Sequence, residues 1–349
     1  MQTQNRSFRL FIIGVILVLI AFVPFSTGVF HTQSPTVIRA SLDIGSGATK
    51  LRVAEVDLKE HKIVKLLVNQ QFTVPYQKSL TASSDMTFSD EVMDQGIQAI
   101  KKAKEIAQEN GAKKVVAVAT SAFRKASNAN ELVKKIESET GVDVFIIDQA
   151  LEGELAYEAV KAEVDTHEDK MVVWDIGGGS LQLTSKKEGG GFIIYRGKEA
   201  SEPFKNFIIE QIQGKDIKQV TTPNPMTIEQ IQKATEHAKV VASRVDDLFQ
   251  QKVKDPNIKV YGVGSVFSFG ILPAVNGQNP VTVQELGEAV QGMAGKDDAA
   301  LGGGDFADVQ LSNSILIHGM MEGLEIPEVE VIDVNNADGA FFYEPFWAD

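Results

Sequence analysis

VVWDIGGGSLQL (residues 172–183) runs three apolar residues into an aspartate, three glycines and a serine, after which alternation resumes at Leu181 and Leu183. The pattern reads as strand, glycine turn, strand. The turn itself has two readings. It is a tight hairpin, or it is a cradle for phosphate, because glycine lets the backbone approach an anion and turn its N–H groups toward it. An aspartate at the end of the strand adds a use of its own, since a carboxylate can hold Mg²⁺ directly or through water. Seen once, the hairpin is the better reading. The pattern occurs twice, however: SLDIGSGATKLRV (residues 41–53) places Asp43, Gly45, Ser46 and Gly47 as VVWDIGGGSLQL places Asp175, Gly177, Gly178, Gly179 and Ser180. A third glycine turn, Gly262-Val263-Gly264-Ser265, also follows a strand-like run.

Each repeat opens a half of similar plan. After the first come a third strand over IVKLLVNQQFTV, a helix that Ser89 caps and Gly111 ends, and a buried strand VVAVAT. A second helix follows, with Asn128 and Glu131 at capping-box spacing and Gly141 as its stop, then the strand VDVFIID and a helix from Leu151 to Glu163. After the second come GGFIIYRG, a long helix over ATEHAKVVASRVDDLF capped by Thr227 and Gln230, the strand IKVYGVGS, a helix from Ser312 to Gly323 and a last strand EVEVIDV. AGKDDAALGGGDFAD (residues 294–308) reads as a surface loop. A duplication on this scale predicts an α/β protein of two tandem lobes with a cleft between them, the first over residues 37–155 and the second over 156–349, with the last residues packing back on the first lobe.

Composition narrows the function. The chain has 349 residues, 43% of them hydrophobic, a formal charge of −13 and no cysteine, so a sizeable core is available while thiol catalysis and Cys-based metal sites are excluded. No HxxH or HExxH spacing joins the five histidines, which read as structural or solvent-facing. The acidic body argues against nucleic acid as a partner, and a polyanionic substrate would need local cations. Ahead of Asp43, the first acid, stand Arg6, Arg9 and an apolar run from Leu10 to Val23. That order is expected of a signal peptide or membrane anchor over residues 1–30, engaging the membrane or export machinery, with a periplasmic or otherwise extracytoplasmic body tethered to the inner membrane if the segment is not cleaved.

The paired DIG hairpins and the third glycine turn resemble the actin, sugar kinase and heat-shock chaperone superfamily, and the intervening blocks narrow the resemblance to the Ppx/GppA family of exopolyphosphatases and guanosine pentaphosphate phosphohydrolases. ASLDIGSGATKLRVAEVD is similar to that family's D-x-G-S-N-S-x-R-L hairpin. VAVATSAFRKASNANELVKKIESETGVDVFIID resembles its T-x-A-x-R-x-A-x-N block, ALEGELAYEAV its G-x-E-E-A-x-L, and DIGGGSLQL its D-I-G-G-G-S-T-E-L. The resemblance implies two RNase H-like (actin-like ATPase) lobes and a Mg²⁺-assisted phosphohydrolase acting on polyphosphate or a nucleotide polyphosphate. Glu152 would be its catalytic carboxylate, orienting or deprotonating the attacking water. Asp43 and Asp175 would lie on the metal side, while Lys50, Arg124 and the turn residues Gly45, Ser46, Gly47, Gly177, Gly178, Gly179, Ser180, Gly264 and Ser265 would hold phosphate. Lys125, Lys186 and Lys187 read as solvated, and a homodimer is kept among the expected assemblies.

The departures from the family pattern carry weight too. Gly47 and Ala48 replace Asn and Ser of the opening motif, Gln182 replaces an acid, Val266 a threonine, and Phe341 or Phe342 stands where the family has an arginine. Glu152-Gly153 and Gln182 are more similar to secreted apyrases, nucleoside phosphohydrolases of the same superfamily, although the spacing from Arg124 to Glu152 and Asp175 is of the polyphosphatase kind. An apyrase-like enzyme and a catalytically silent phosphate-ligand binder therefore stay open as alternatives.

Overall fold

The computed structural model describes residues 36–187, 189–304 and 306–348. The first half opens with β1 (Val37–Ile44), β2 (Ala48–Asp57) and β3 (Lys62–Thr73), followed by helices α1 (Tyr76–Ala82) and α2 (Asp90–Glu109). β4 (Val115–Ala119), α3 (Ser121–Lys125), α4 (Ala129–Thr140), β5 (Asp143–Ile146) and α5 (Gln149–Lys161) complete it. Its five-stranded sheet has the order β3-β2-β1-β4-β5, an antiparallel meander extended by two parallel strands. The second half repeats the scheme with β6 (Met171–Ile176), β7 (Leu181–Lys186) and β8 (Phe192–Gly197), then α6 (Ser201–Phe207), α7 (Ile228–Ala242), α8 (Asp247–Lys252) and β9 (Lys259–Val263). α9 (Leu272–Ala274), β10 (Val281–Thr282), α10 (Val283–Gly292), α11 (Ala307–Leu324), β11 (Glu328–Val331) and α12 (Asn336–Ala340) follow, and the six strands run in the order β10-β11-β9-β6-β7-β8. The two-lobed α/β class expected from the sequence is the one observed.

The duplication extends to single residues. Asp43 pairs with Lys50 across β1–β2 and with Val118 of parallel β4, while Asp175 pairs with Gln182 across β6–β7 and with Val263 of parallel β9. Both turns close by the same backbone bond, Gly45 N–H to Ala48 O at 2.9 Å and Gly177 N–H to Ser180 O at 3.0 Å. The central strands are buried throughout because helices cover both faces of each sheet, as parallel strands require. One core gathers Leu42, Ile44, Leu51, Ile97 and Ile100, and another Trp174, Leu181, Phe204, Phe267 and Leu316.

Several local expectations are corrected. The helix over ATEHAKVVASRVDDLF stops at Ala242 and a separate α8 begins at Asp247. Asn128 does not cap α4; its amide bridges the backbone N–H and C=O of Phe88 instead, which ties α4 to the start of α2. The loop expected over residues 294–308 gives its last two residues to α11, which begins at Ala307. The C-terminal segment crosses to the first sheet: Ser41 donates to Ala337 O, Arg39 to Phe341 O, and Phe341 packs on Ala54 and Val56. The predicted N-terminal signal or anchor lies outside the described residues, and among the described residues no helix is long and apolar enough to cross a membrane.

Candidate active site in the cleft

Because each strand end delivers its aspartate and glycine turn to the same edge of its sheet, the two DIG turns face one another. Their approach is close enough that a Cβ on Gly178 would stand 2.8 Å from Cβ of Ser46, and one on Gly179 would stand 2.6 Å from Oγ of Ser121. Between and beside them lies a cavity of about 210 Å³. Its wall includes Asp43, Gly45, Ser46, Gly47 and Lys50 from the first half, Glu152 from α5, and Asp175, Gly177, Gly178, Gly179, Ser180, Gly264 and Ser265 from the second. Arg124 reaches this group from α3 behind the wall, with Nη2 2.8 Å from Glu152 Oε2 and donating to Ser180 Oγ at 3.2 Å, while Nη1 donates to Ile147 O at 2.9 Å. The residues singled out in the sequence thus come together in one place.

Glu152 sits in the first turn of α5, whose N-cap Asp148 accepts from Leu151 N–H at 2.9 Å. The helix N-terminus favours a negative charge there. Burial outweighs this: desolvation, only partly offset by Arg124, pushes the Glu152 carboxyl up to about 7. Ser180 Oγ lies 3.4 Å from Oε1, and Gln182 Nε2 donates to Oε2 at 3.3 Å, so an amide stands where a second acid would compete for the proton.

The two aspartates differ in their compensation. Burial raises the Asp43 carboxyl, with Lys50 Nζ 3.7 Å from Oδ2 opposing the shift, and Oδ1 is buried without a hydrogen-bond partner. Asp175 is pushed up to about 8 by burial and then by the negative charges of Glu152 and Asp43, and its Oδ2 accepts from Asn336 Nδ2 at 3.5 Å. Three carboxyls with too few counter-charges make a site short of positive charge, which a divalent cation would supply. Two carboxylates with an orphaned oxygen suit Mg²⁺, which keeps much of its hydration and takes few protein ligands. No cluster of three His, Asp or Glu side chains at ligating distance occurs among the described residues, so an all-protein cage is not what the cleft offers.

Two side chains, Lys186 and Asn336, escaped the sequence reading. Lys125 is exposed, as expected, and donates to Gly179 O at 3.3 Å. Lys186, expected to be solvated, is held 2.7 Å from Glu168 Oε2. Asn336 arrives from α12 at the far end of the chain; the Asn335–Asp338 capping box that positions it was a readable helix-start signal, though not one that pointed to the cleft.

A model of the Ppx/GppA phosphatase family matches residues 53–192. Exopolyphosphatase 1 of Mycobacterium tuberculosis is 30% identical over 148 residues, 41% of this chain and 41% of that protein. A bifunctional 3-dehydroquinate synthase/phosphatase of Fusobacterium nucleatum is 26% identical over 151 residues, 42% of this chain and 23% of that one. The chain thus spans less than half the length of the curated relatives it matches. Among solved structures, an Aquifex aeolicus member of the Ppx/GppA family superposes with a TM-score of 0.69 at 21% identity, over 89% of this chain and 98% of that one. An exopolyphosphatase from Cytophaga hutchinsonii gives 0.68 at 18%, over 89% and 98%. The resemblance to the Ppx/GppA phosphatase family drawn from the motifs holds: the matched segment carries the Arg124 and Glu152 blocks and the second DIG turn, and the fold is the one these structures have.

Proposed function

We propose that this chain is a phosphohydrolase of the exopolyphosphatase type, releasing the terminal phosphate of inorganic polyphosphate or a polyphosphorylated nucleotide by attack of water. The observation that carries this reading is Glu152: a buried carboxyl at the cleft, raised to about 7, between two glycine-rich turns suited to phosphate. A base is most useful when its pKa lies near the working pH. In this reading Glu152 orients the attacking water and takes its proton, Gln182 and Ser180 hold the carboxylate in place, and Arg124 and Lys50 meet phosphate oxygens. The backbone N–H groups of Ser46, Gly47, Gly178, Gly179 and Ser180 distribute around the transferred phosphoryl group, where positioning and charge stabilisation supply most of the catalysis. Asp43 and Asp175 are the residues that would hold Mg²⁺, which when bound neutralises charge on the phosphate oxygens. Nothing in the cleft requires a covalent intermediate. Residues 37–155 and 156–349 are proposed as the lobes that close on the substrate, and the Arg6–Val23 segment as the device that places the body outside the cytoplasm.

An apyrase-like variant of this activity is favoured by Gln182, although the neighbouring glycine has a structural use: a Cβ on Gly153 would stand 2.5 Å from Thr184 Oγ1. The test is to offer the purified protein polyphosphate, ATP and guanosine pentaphosphate, with and without Mg²⁺, beside Glu152→Ala. Phosphate release that needs both Glu152 and the metal supports the proposal; no release from any of the three, with ligand binding intact, replaces it with a silent binder.

A further inference from the structure

Among the described residues, exposed aliphatic side chains gather at one end of the first sheet: Val37 and Ile38 open β1, Leu58 follows β2, and Val64 and Leu66 lie near the start of β3. Register makes them neighbours. Val37 pairs with Val56, and Val56 with Ile63; Ile38 pairs with Glu55; Leu66 pairs with Ala54, level with Arg39, the third residue of β1. Adjacent strands lie about 4.8 Å apart, so the group is continuous across three strands. Scattered exposed aliphatics need no explanation, whereas a contiguous group marks a contact. Successive strand residues point to opposite faces, so Val37 and Ile38 project on both sides and the apolar surface wraps the end of the sheet. Beside it Ile63, Phe342 and Trp347 pack on Ala54 and Val56.

What covers this end follows from where the chain enters it. Residues 24–36 join Val37 to the apolar run Leu10–Val23, and fully extended they span at most about 50 Å. A bilayer holding that run is therefore within reach of the patch. β1 then carries the chain roughly 25 Å onward to Asp43 and the first DIG turn, which puts the cleft at the opposite end of the strand. Charge agrees with a lipid surface. LKEHKIVKL (residues 58–66) sets three lysines against one glutamate in a chain of formal charge −13. Lys59, Lys62 and Lys65 are all exposed, and the contacts of Lys59 with Glu60 and of Lys62 with Asp165 join exposed partners, which hold each other weakly. A second copy paired along β3, the edge strand, fits less well, because the edge continues through exposed Asn69, Gln70 and Gln71 while the apolar group runs across the sheet end.

We propose that this end of the first sheet rests on an anionic lipid surface. Val37, Ile38, Leu58, Val64 and Leu66 enter the headgroup layer, and Lys59, Lys62 and Lys65 lay their methylene stems along it with their ammonium groups on lipid phosphates. The inference rests on the reading of the N-terminal segment as a membrane anchor, and adds to it an orientation: the body stands end-on, with the patch on the bilayer and the cleft turned to the solution, where a phosphorylated substrate is met away from the negative surface. The lysines give the contact its dependence on anionic lipid and on salt.

The absence of cysteine makes the test direct, because a single introduced thiol takes a fluorophore at one place only. The full chain carrying Leu58→Cys, Val64→Cys or, as a control, Leu248→Cys is labelled and reconstituted with vesicles of phosphatidylcholine, with or without phosphatidylglycerol, whose headgroups bear a nitroxide quencher. Leu248 lies on α8 of the second half and is 62% exposed, against 54% for Val64, so exposure alone does not separate the sites. We expect fluorescence at positions 58 and 64 to be lost to the lipid quencher on anionic vesicles and that at 248 to persist, with the loss at 64 reduced by Lys62→Glu together with Lys65→Glu and by added salt. All the altered side chains are exposed, so no core is opened; a thermal melt of each variant checks this. Flotation of the same samples reports on the anchor separately. Flotation with unquenched labels at 58 and 64 overturns the lipid contact and keeps the anchor, and a chain that sediments as a dimer with position 64 protected but unquenched assigns the end to a second copy instead. Failure to float removes the anchor and the contact together.

Discussion

Lys50 and Gln182 occupy the same register place in the two halves, each directly opposite the aspartate that ends the preceding strand. Residues so paired share a face of the sheet, so the duplicated backbone delivers an ammonium in one half and an amide in the other. Lys50 stays 3.7 Å from Asp43, whereas Gln182 turns to Glu152 and leaves Asp175 with Asn336. The two carboxyls diverge accordingly, and the pseudo-symmetric site is electrostatically one-sided.

From that asymmetry, Lys50 is the cation with most to do for an incoming phosphate. Lys50→Met should weaken tripolyphosphate binding by about tenfold or more, the loss expected of one charge-assisted hydrogen bond. Calorimetry reads it directly, and an unchanged affinity would show that Lys50 serves Asp43 alone.

Glu152→Gln keeps the shape of the side chain and removes its ability to accept a proton. Phosphate release should fall by about 10²- to 10⁴-fold, the range for a lost general base, while affinity for a β,γ-imido nucleotide or tripolyphosphate holds. A parallel loss of binding would make Glu152 a positioning group for Arg124 rather than a base.

Gly264 has φ +88°, and a Cβ there would come within 3.0 Å of Asp175 Oδ1 and 3.2 Å of Ile176 O. Gly264→Ala should therefore cost about 1–3 kcal/mol of stability and displace Asp175, lowering phosphate release by about tenfold or more. A variant as active and as stable as the parent would contradict the tight fit inferred between the third glycine turn and the second DIG turn.

What was legible in the sequence follows from what is local. The DIG turns, Gly141 at φ +64° and the Thr227–Gln230 capping box are written in neighbouring residues, and each forms as read. Repetition alone places Asp43 and Asp175 at equivalent strand ends. The contribution of α12 is not legible, because Asn336 meets Asp175 across 161 positions and Ser41 meets Ala337 across 296, with no period or spacing to announce it.

Gly339 shows how closely α12 is seated. A Cβ at this position would fall 1.9 Å from Leu155 O, a backbone atom of α5 that cannot swing aside. Gly339→Ala should lower stability by about 1–3 kcal/mol or more and loosen the helix that carries Asn336, so thermal midpoint and phosphate release should fall together. A lowered midpoint with full activity would detach Asn336 from the site.

Asp338, beside it, gives the fold a pH dependence of known sign. Its carboxyl is 1% exposed and is raised from the ordinary 3.8 to about 6 by burial, against the pull of Arg52 at 3.4 Å and with Asp333 and Glu163 adding to the rise. A carboxyl raised on folding holds its proton in the native state where the unfolded chain has released it, so its contribution is full below about pH 4 and is lost as pH rises through about 6. With about 1.4 kcal/mol per unit, the swing is on the order of 3 kcal/mol. Asp338→Asn keeps a side-chain oxygen for the Asn335 N–H and has no proton to exchange. Urea unfolding of both proteins from pH 4 to 7.5 should show the parent losing stability relative to the variant across that window; parallel curves would mean that Asp338 stays ionised against Arg52 in the native state.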